Sequence, residues 1–129
     1  MIVDSSALLS VIFREDGHES LLERLLADPA PAIGTPTLVE TGIVLTARLG
    51  PAARGLLERL IDELDLQEVP FGELHWREAV SAYRRFGKGR HPADLNFGNC
   101  MTYAVASLAA EPLLYRGEDF RKTDLEAAV

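Results

Sequence analysis

Short β-favouring runs alternate along the whole chain with longer stretches whose apolar residues recur at helical spacing. This alternation restricts the possible folds more than any other feature. Ile2-Val3 ahead of Asp4, Ala32-Ile33-Gly34, Leu66 to Val69 and Leu113-Leu114-Tyr115 read as strands, set off by acids, glycines and prolines. Ser5-Ser6 offers an N-cap for the apolar run Ala7 to Phe13. Beyond Gly17, the spacing of Leu21, Leu22, Leu25 and Leu26 marks a second helix that stops at Asp28-Pro29-Ala30-Pro31. Thr35 as cap and Pro36 at the first helical position start a helix over Thr37 to Leu49, closed by Gly50-Pro51. Leu56, Leu57, Leu60, Ile61 and Leu64 mark a fourth helix, and Glu73 to Phe86 a fifth. After the loop Gly87 to Pro92, helical spacing resumes over Asn96 to Ala109 until Glu111-Pro112, and the tail Leu125 to Val129 reads as an edge strand. Strands joined through helices require right-handed crossovers. The expected class is therefore α/β, a mostly parallel sheet with helices on both faces, as one domain over residues 1–129 without repeat or linker.

Composition narrows the function. A net charge of −7 excludes a protein that coats nucleic acid through bulk electrostatics, because that mode needs many phosphate neutralisations; any RNA contact has to be local. Cys100 is the single cysteine, so no intramolecular disulfide forms, and the thiol suits a reducing compartment. The opening Met-Ile-Val-Asp-Ser-Ser carries neither a basic leader nor a cleavable apolar stretch, and no apolar run approaches the ~20 residues of a membrane span. The expectation is a cytoplasmic protein with no membrane role. His18, His75 and His91 share no ligand spacing with each other or with Cys100, which argues against zinc. Gly87-Lys88-Gly89 lacks the Lys-Ser/Thr of a phosphate-cradling loop.

The chemistry is concentrated in acids. In an open parallel sheet, ligands bind beyond the carboxyl ends of the strands, and both Asp4 and Asp119 fall there. The competing, less favoured reading of Asp4 is a helix cap. Glu40 has Ile43 and Val44 three and four residues on, which turns it toward an apolar stripe. An unpaired carboxylate there costs several kcal/mol, so a cation or a buried arginine has to compensate it. Asn99 stands one turn from Asn96 and one turn before Tyr103 on an otherwise small and apolar helix, either bonding nearby backbone or serving a site. Glu118 and Asp124 read as solvated loop residues. Arg84, Arg85, Lys88, Arg90 and His91 form the densest basic stretch, able to grip phosphates or to complement a helix C-terminus. Trp76 and Tyr83 suit a core or a dimer face better than base stacking.

These residues carry a resemblance. Ile2-Val3-Asp4-Ser5-Ser6-Ala7, Glu40, Leu95-Asn96-Phe97-Gly98-Asn99-Cys100 and Leu113-Leu114-Tyr115-Arg116-Gly117-Glu118-Asp119-Phe120 with Thr123-Asp124 follow one another across the whole chain. The pattern resembles the PIN-domain ribonuclease toxins of VapC-type toxin–antitoxin modules. The resemblance implies a three-layer α/β/α PIN-like domain with acids at positions 4, 40, 99 and 119 holding Mg²⁺ or Mn²⁺ for hydrolysis of RNA. It also implies Ser6 and Asn96 supporting the site, a homodimer, and a cognate VapB-type antitoxin. Asp4, Glu40 and Asp119 match, whereas the family has aspartate where this chain has Asn99.

Aspartate and asparagine share a shape but not a charge. The expectation is an intact fold with weakened metal affinity and reduced or absent cleavage, or alternatively a silent module that keeps antitoxin or RNA binding. A phospho-acceptor receiver domain would want paired acids after the first strand, and Asp4 stands without such a pair.

Overall fold

The computed structural model describes residues 1–128. In chain order the elements are β1 (Ile2–Val3), α1 (Ser5–Ile12), α2 (His18–Ala27), β2 (Ala32–Gly34), α3 (Thr35–Leu49), α4 (Ala53–Glu63), β3 (Gln67–Val69), α5 (Glu73–Phe86), α6 (Phe97–Ala109) and β4 (Leu113–Leu114), with a 3₁₀ turn at Gly50–Ala52. The strands form one sheet in the order β3-β2-β1-β4, and every pairing is parallel. Ile2 lies opposite both Ala32 and Leu113, so β1 is central.

Because neighbouring strand residues face opposite sides, the pairs Ile2/Val3 and Leu113/Leu114 feed two cores. Val3 and Leu114 join Leu8, Leu21, Leu25, Ile33 and Leu64 under α1, α2 and α4. Ile2 and Leu113 join Ala82, Leu95, Tyr103, Val105 and Phe120 under α5 and α6. The result is the expected α/β/α layering. Parallel strands buried on both faces need such cover, since neither face is left to water. No helix among the described residues is long and apolar enough to cross a membrane.

The strand order places a switch point between β1 and β4. The chain leaves β1 toward β2 and β3 on one side and returns to β4 on the other, which opens a crevice at the carboxyl ends of these two central strands. Asp4 and Arg116 flank it in sequence.

Some local expectations are revised. The N-cap of α1 is Asp4, not Ser5 or Ser6: its backbone is extended (φ −88°, ψ 156°) and its side chain accepts from the Ser6 amide. Gly34 occupies the cap position of α3, which moves Thr35 and Pro36 into the first turn, where proline's missing N–H costs nothing. The buried stripe of α3 is Thr37, Thr41 and Leu45, whereas Ile43 is 64% exposed. Polar threonines face inward because their hydroxyls are satisfied: Thr41 donates to the Thr37 carbonyl at 2.8 Å, and Thr37 pairs with Thr102 of α6 at 3.1 Å. Trp76 and Tyr83 remain exposed rather than entering the core. At the outer edge of β4, Ala127 forms a single parallel bridge to Leu113, so the tail pairs over less than the expected Leu125–Val129, whose last residue lies outside those described.

Candidate active site

The crevice is built from four elements that each contribute little on their own. At the end of β1, Asp4 is 3% exposed, and its Oδ2 accepts from the Ser6 amide at 3.1 Å and from the Ser6 hydroxyl at 2.6 Å. The Ser6 Oγ in turn accepts from the Arg116 amide at 3.0 Å, so the first turn of α1 is tied to the chain leaving β4. Both hydrogen bonds use the same carboxylate oxygen, Oδ2.

From α3, Glu40 reaches toward the same place. Its Oε1 accepts a 2.6 Å bond from the hydroxyl of buried Ser5, and its other oxygen rests against the backbone of Gly98 in the first turn of α6. A Cβ at position 98 would overlap Glu40 Oε2, so glycine lets the helix N-terminus come down on the carboxylate. That contact is favourable, because the amide-rich end of a helix carries partial positive charge. Glu40 is half-buried, and serine and this helix end accompany it in place of an arginine.

Asn96 and Asn99 cap α6 reciprocally. The Asn99 amide donates to Asn96 Oδ1 at 2.9 Å, and the Asn96 amide donates to Asn99 Oδ1 at 3.1 Å. This capping box satisfies two amides that the helix cannot, and it occupies the side-chain oxygen of Asn99. Asp119 sits on the exposed loop beyond β4, next to Phe120, which is buried with its ring 5.4 Å from that of Tyr115.

Among the described residues, none of Asp4, Glu40 and Asp119 lies within ion-pair distance of a lysine, arginine or histidine. Asp4 and Glu40 are enclosed without a cationic neighbour, and their hard oxygen donors suit Mg²⁺ or Mn²⁺, whereas Asp119 is exposed. These acids do not close into a donor set, however. Among the described residues no three histidine, cysteine, aspartate or glutamate side chains gather as a ready-made metal site, and position 99 in the first turn of α6 carries a neutral amide.

The basic stretch is divided. Arg85 is engaged by Asp124 at 2.8 Å and by the Tyr103 hydroxyl at 3.2 Å, while Arg84, Lys88 and Arg90 are exposed and Arg90 lies over the Tyr83 ring. Asp124 is therefore more than a solvated loop acid: Tyr103 also donates to it, at 2.6 Å. Burial alone would disfavour its charge, but the bonds from Tyr103 and Arg85 hold its carboxyl below the usual range. Cys100 is buried, and that burial pushes its thiol up, as suits a packing residue rather than a nucleophile. Ser5 and Gly98 were not singled out from sequence: a serine after a strand reads as a cap, and a glycine in a helix gives no hint of what approaches it.

The PIN domain family model matches residues 1–126. The chain belongs to the PIN-domain family. Within it, the sequence is 48% identical over 127 residues to ribonuclease VapC36 of Mycobacterium tuberculosis, covering 98% of this chain and 91% of that protein. Ribonuclease VapC42 of the same species is 38% identical over 129 residues, covering 99% and 98%. The PIN architecture extends to distant structures. The crystal structure of M. tuberculosis VapC20, a sarcin-ricin loop cleaving toxin, superposes with a TM-score of 0.78 at 16% identity, covering 96% of this chain and 95% of that one. A toxin–antitoxin complex from Klebsiella pneumoniae gives 0.70 at 17% identity, covering 95% and 92%.

Proposed function

We propose that this PIN-domain chain is the toxin of a type II toxin–antitoxin module, with a metal-dependent endoribonuclease site that Asn99 weakens or silences. The observation carrying this reading is that Asp4, at the end of β1, and Glu40, bonded to the adjacent Ser5, both stand without cationic partners at the carboxyl edge of the sheet. Near-full-length similarity to VapC ribonucleases supports it.

In this reading Asp4, Glu40 and Asp119 hold Mg²⁺ or Mn²⁺, with position 99 beside them. Bound there, such a cation lowers the pKa of a water and offsets charge developing on the phosphate. The chain's own residues keep the geometry. Ser6 fixes one oxygen of Asp4, and Ser5 and Gly98 hold Glu40 against the end of α6. Asn99 brings no charge, and its oxygen is already committed to the Asn96 amide. The lost attraction between unit charges ~4 Å apart is on the order of 4 kcal/mol at an effective dielectric of ~20, before desolvation reduces it.

Asn99→Asp tests this directly. An aspartate can accept the same capping bond while adding the missing charge, so Mg²⁺-dependent RNA cleavage should rise at least ten-fold with the fold unchanged. Equal rates in both proteins would refute the role given to position 99. Absence of cleavage in both would favour the second reading, a silent module retaining antitoxin or RNA binding, which the engagement of Asn99 in its cap makes physically reasonable. A VapB-type antitoxin and a homodimer are the partners this reading requires. Exposed Val39 and Ile43 on α3, and Val80 and Phe97 across α5 and α6, supply apolar surface for them. Arg84, Lys88 and Arg90 are proposed RNA contacts, with Arg85 diverted to its pairing with Asp124.

A further inference from the structure

A groove of about 450 Å³ runs from the active-site crevice between α1, α3 and the segment after β4, lined among others by Ser6, Phe13, Glu15, Arg48 and Arg116. One end is Ser6, the hydroxyl that holds Asp4. Two guanidinium groups stand along it. Arg48, in the last turn of α3, lies over the Phe13 ring at 4.4 Å and has no carboxylate within ion-pair distance among the described residues. A guanidinium held over a ring makes no salt bridge there and keeps N–H donors that can grip a phosphate. Arg116 follows β4; its amide is bonded to Ser6, and its guanidinium reaches Glu15 at 2.9 Å in a pair with both members well exposed. An exposed pair of this kind gives way readily to a competing anion.

In a chain of net charge −7, two arginines beside an acidic crevice need a reason. The acids repel a polyanion, so a strand entering the crevice has to be held by cations on the way in. We propose that this groove binds the sugar–phosphate backbone of single-stranded RNA next to the scissile bond, with Arg48 and Arg116 each taking a phosphate and Glu15 acting as the competitor that Arg116 releases. The proposal rests on the ribonuclease reading and adds the path of the substrate to it.

The Asn99 protein itself serves as the probe, since binding can be followed without cleavage. Affinity for a mixed-sequence single-stranded RNA oligonucleotide is measured across a salt series. Arg48→Ala and Arg116→Ala should each weaken binding several-fold at low salt and flatten the salt dependence by about 0.7 in log–log slope, the loss of one phosphate contact on a single strand. Arg→Lys at either position should retain the slope, and Glu15→Gln should tighten binding. If RNA is bound and Asn99→Asp cuts it, yet the arginine variants match the parent in affinity and slope, this proposal falls and the nuclease reading stands. If the variants weaken antitoxin binding and leave RNA binding untouched, the groove belongs to a protein partner and the proposal is overturned. If the chain binds no RNA and Asn99→Asp does not cut, both readings fall together.

Discussion

Gly98 is used for its lack of a side chain, and what an alanine there would meet is the far end of Glu40 rather than rigid backbone. The side chain can swing away at little cost, while alanine raises helix propensity by up to ~1 kcal/mol. Gly98→Ala should therefore leave the melting temperature unchanged or raise it. In the Asn99→Asp background it should also raise several-fold the Mg²⁺ concentration needed for half-maximal cleavage. Ser5→Ala should move the metal requirement the same way, by removing the 2.6 Å bond to Glu40, and Ser5→Thr should restore it. Thermal melts and Mg²⁺ titrations run on the same samples check both, because a merely structural role would move the melts first.

At the scale of elements, a second glycine gives the opposite outcome. A Cβ at Gly34 would lie 2.8 Å from Cγ2 of Val105, a buried β-branched residue of α6 with few other rotamers open to it. The junction of β2 and α3 would have to move off α6. Gly34→Ala is expected to cost about 1–3 kcal/mol, measured by urea unfolding. Such a shift would also displace α3, and Glu40 with it. The boundaries of most helices and of the four strands were legible in sequence, since caps and periodicity act locally, whereas the tail expected as a strand pairs only at Ala127. The inward face of α3 was not. Its stripe is carried by Thr37 and Thr41, whose hydroxyls become acceptable inside only once Thr102 and a backbone carbonyl meet them.

For the molecule as a whole, Arg85 of α5, Tyr103 of α6 and Asp124 of the C-terminal segment tie the second helical layer to the tail. Burial, and then the bond to Asp124, push the Tyr103 phenol up to about 12. An unfolded phenol ionises near ~10, so the stability Tyr103 contributes is intact below that pH and falls as pH rises toward the folded value. Asp124 works at the other limit. Against a partial desolvation, its bonds from Tyr103 and Arg85 keep its carboxyl below the ordinary ~3.9, so its contribution is present above that value and is lost as pH falls through the folded one. In Asp124→Asn the acid limb of the stability profile should flatten. Tyrosinate absorbance, taken as the difference from Tyr103→Phe, should show the phenol ionising at lower pH.

The order of elements, the α/β class and the position of Asp4 at a strand end followed from the sequence alone, because strand propensity, helical spacing and caps are decided within a few neighbouring residues. The rest depended on partners far along the chain: Ser5 with Glu40 at a separation of 35, Thr37 with Thr102 at 65, and Ser6 with Arg116 at 110. Tertiary structure alone could divert Arg85 to Asp124, set Gly98 against a carboxylate and stand Arg48 and Arg116 along one groove. A side chain's type states what it can bond, whereas the packing of whole helices decides what comes within reach.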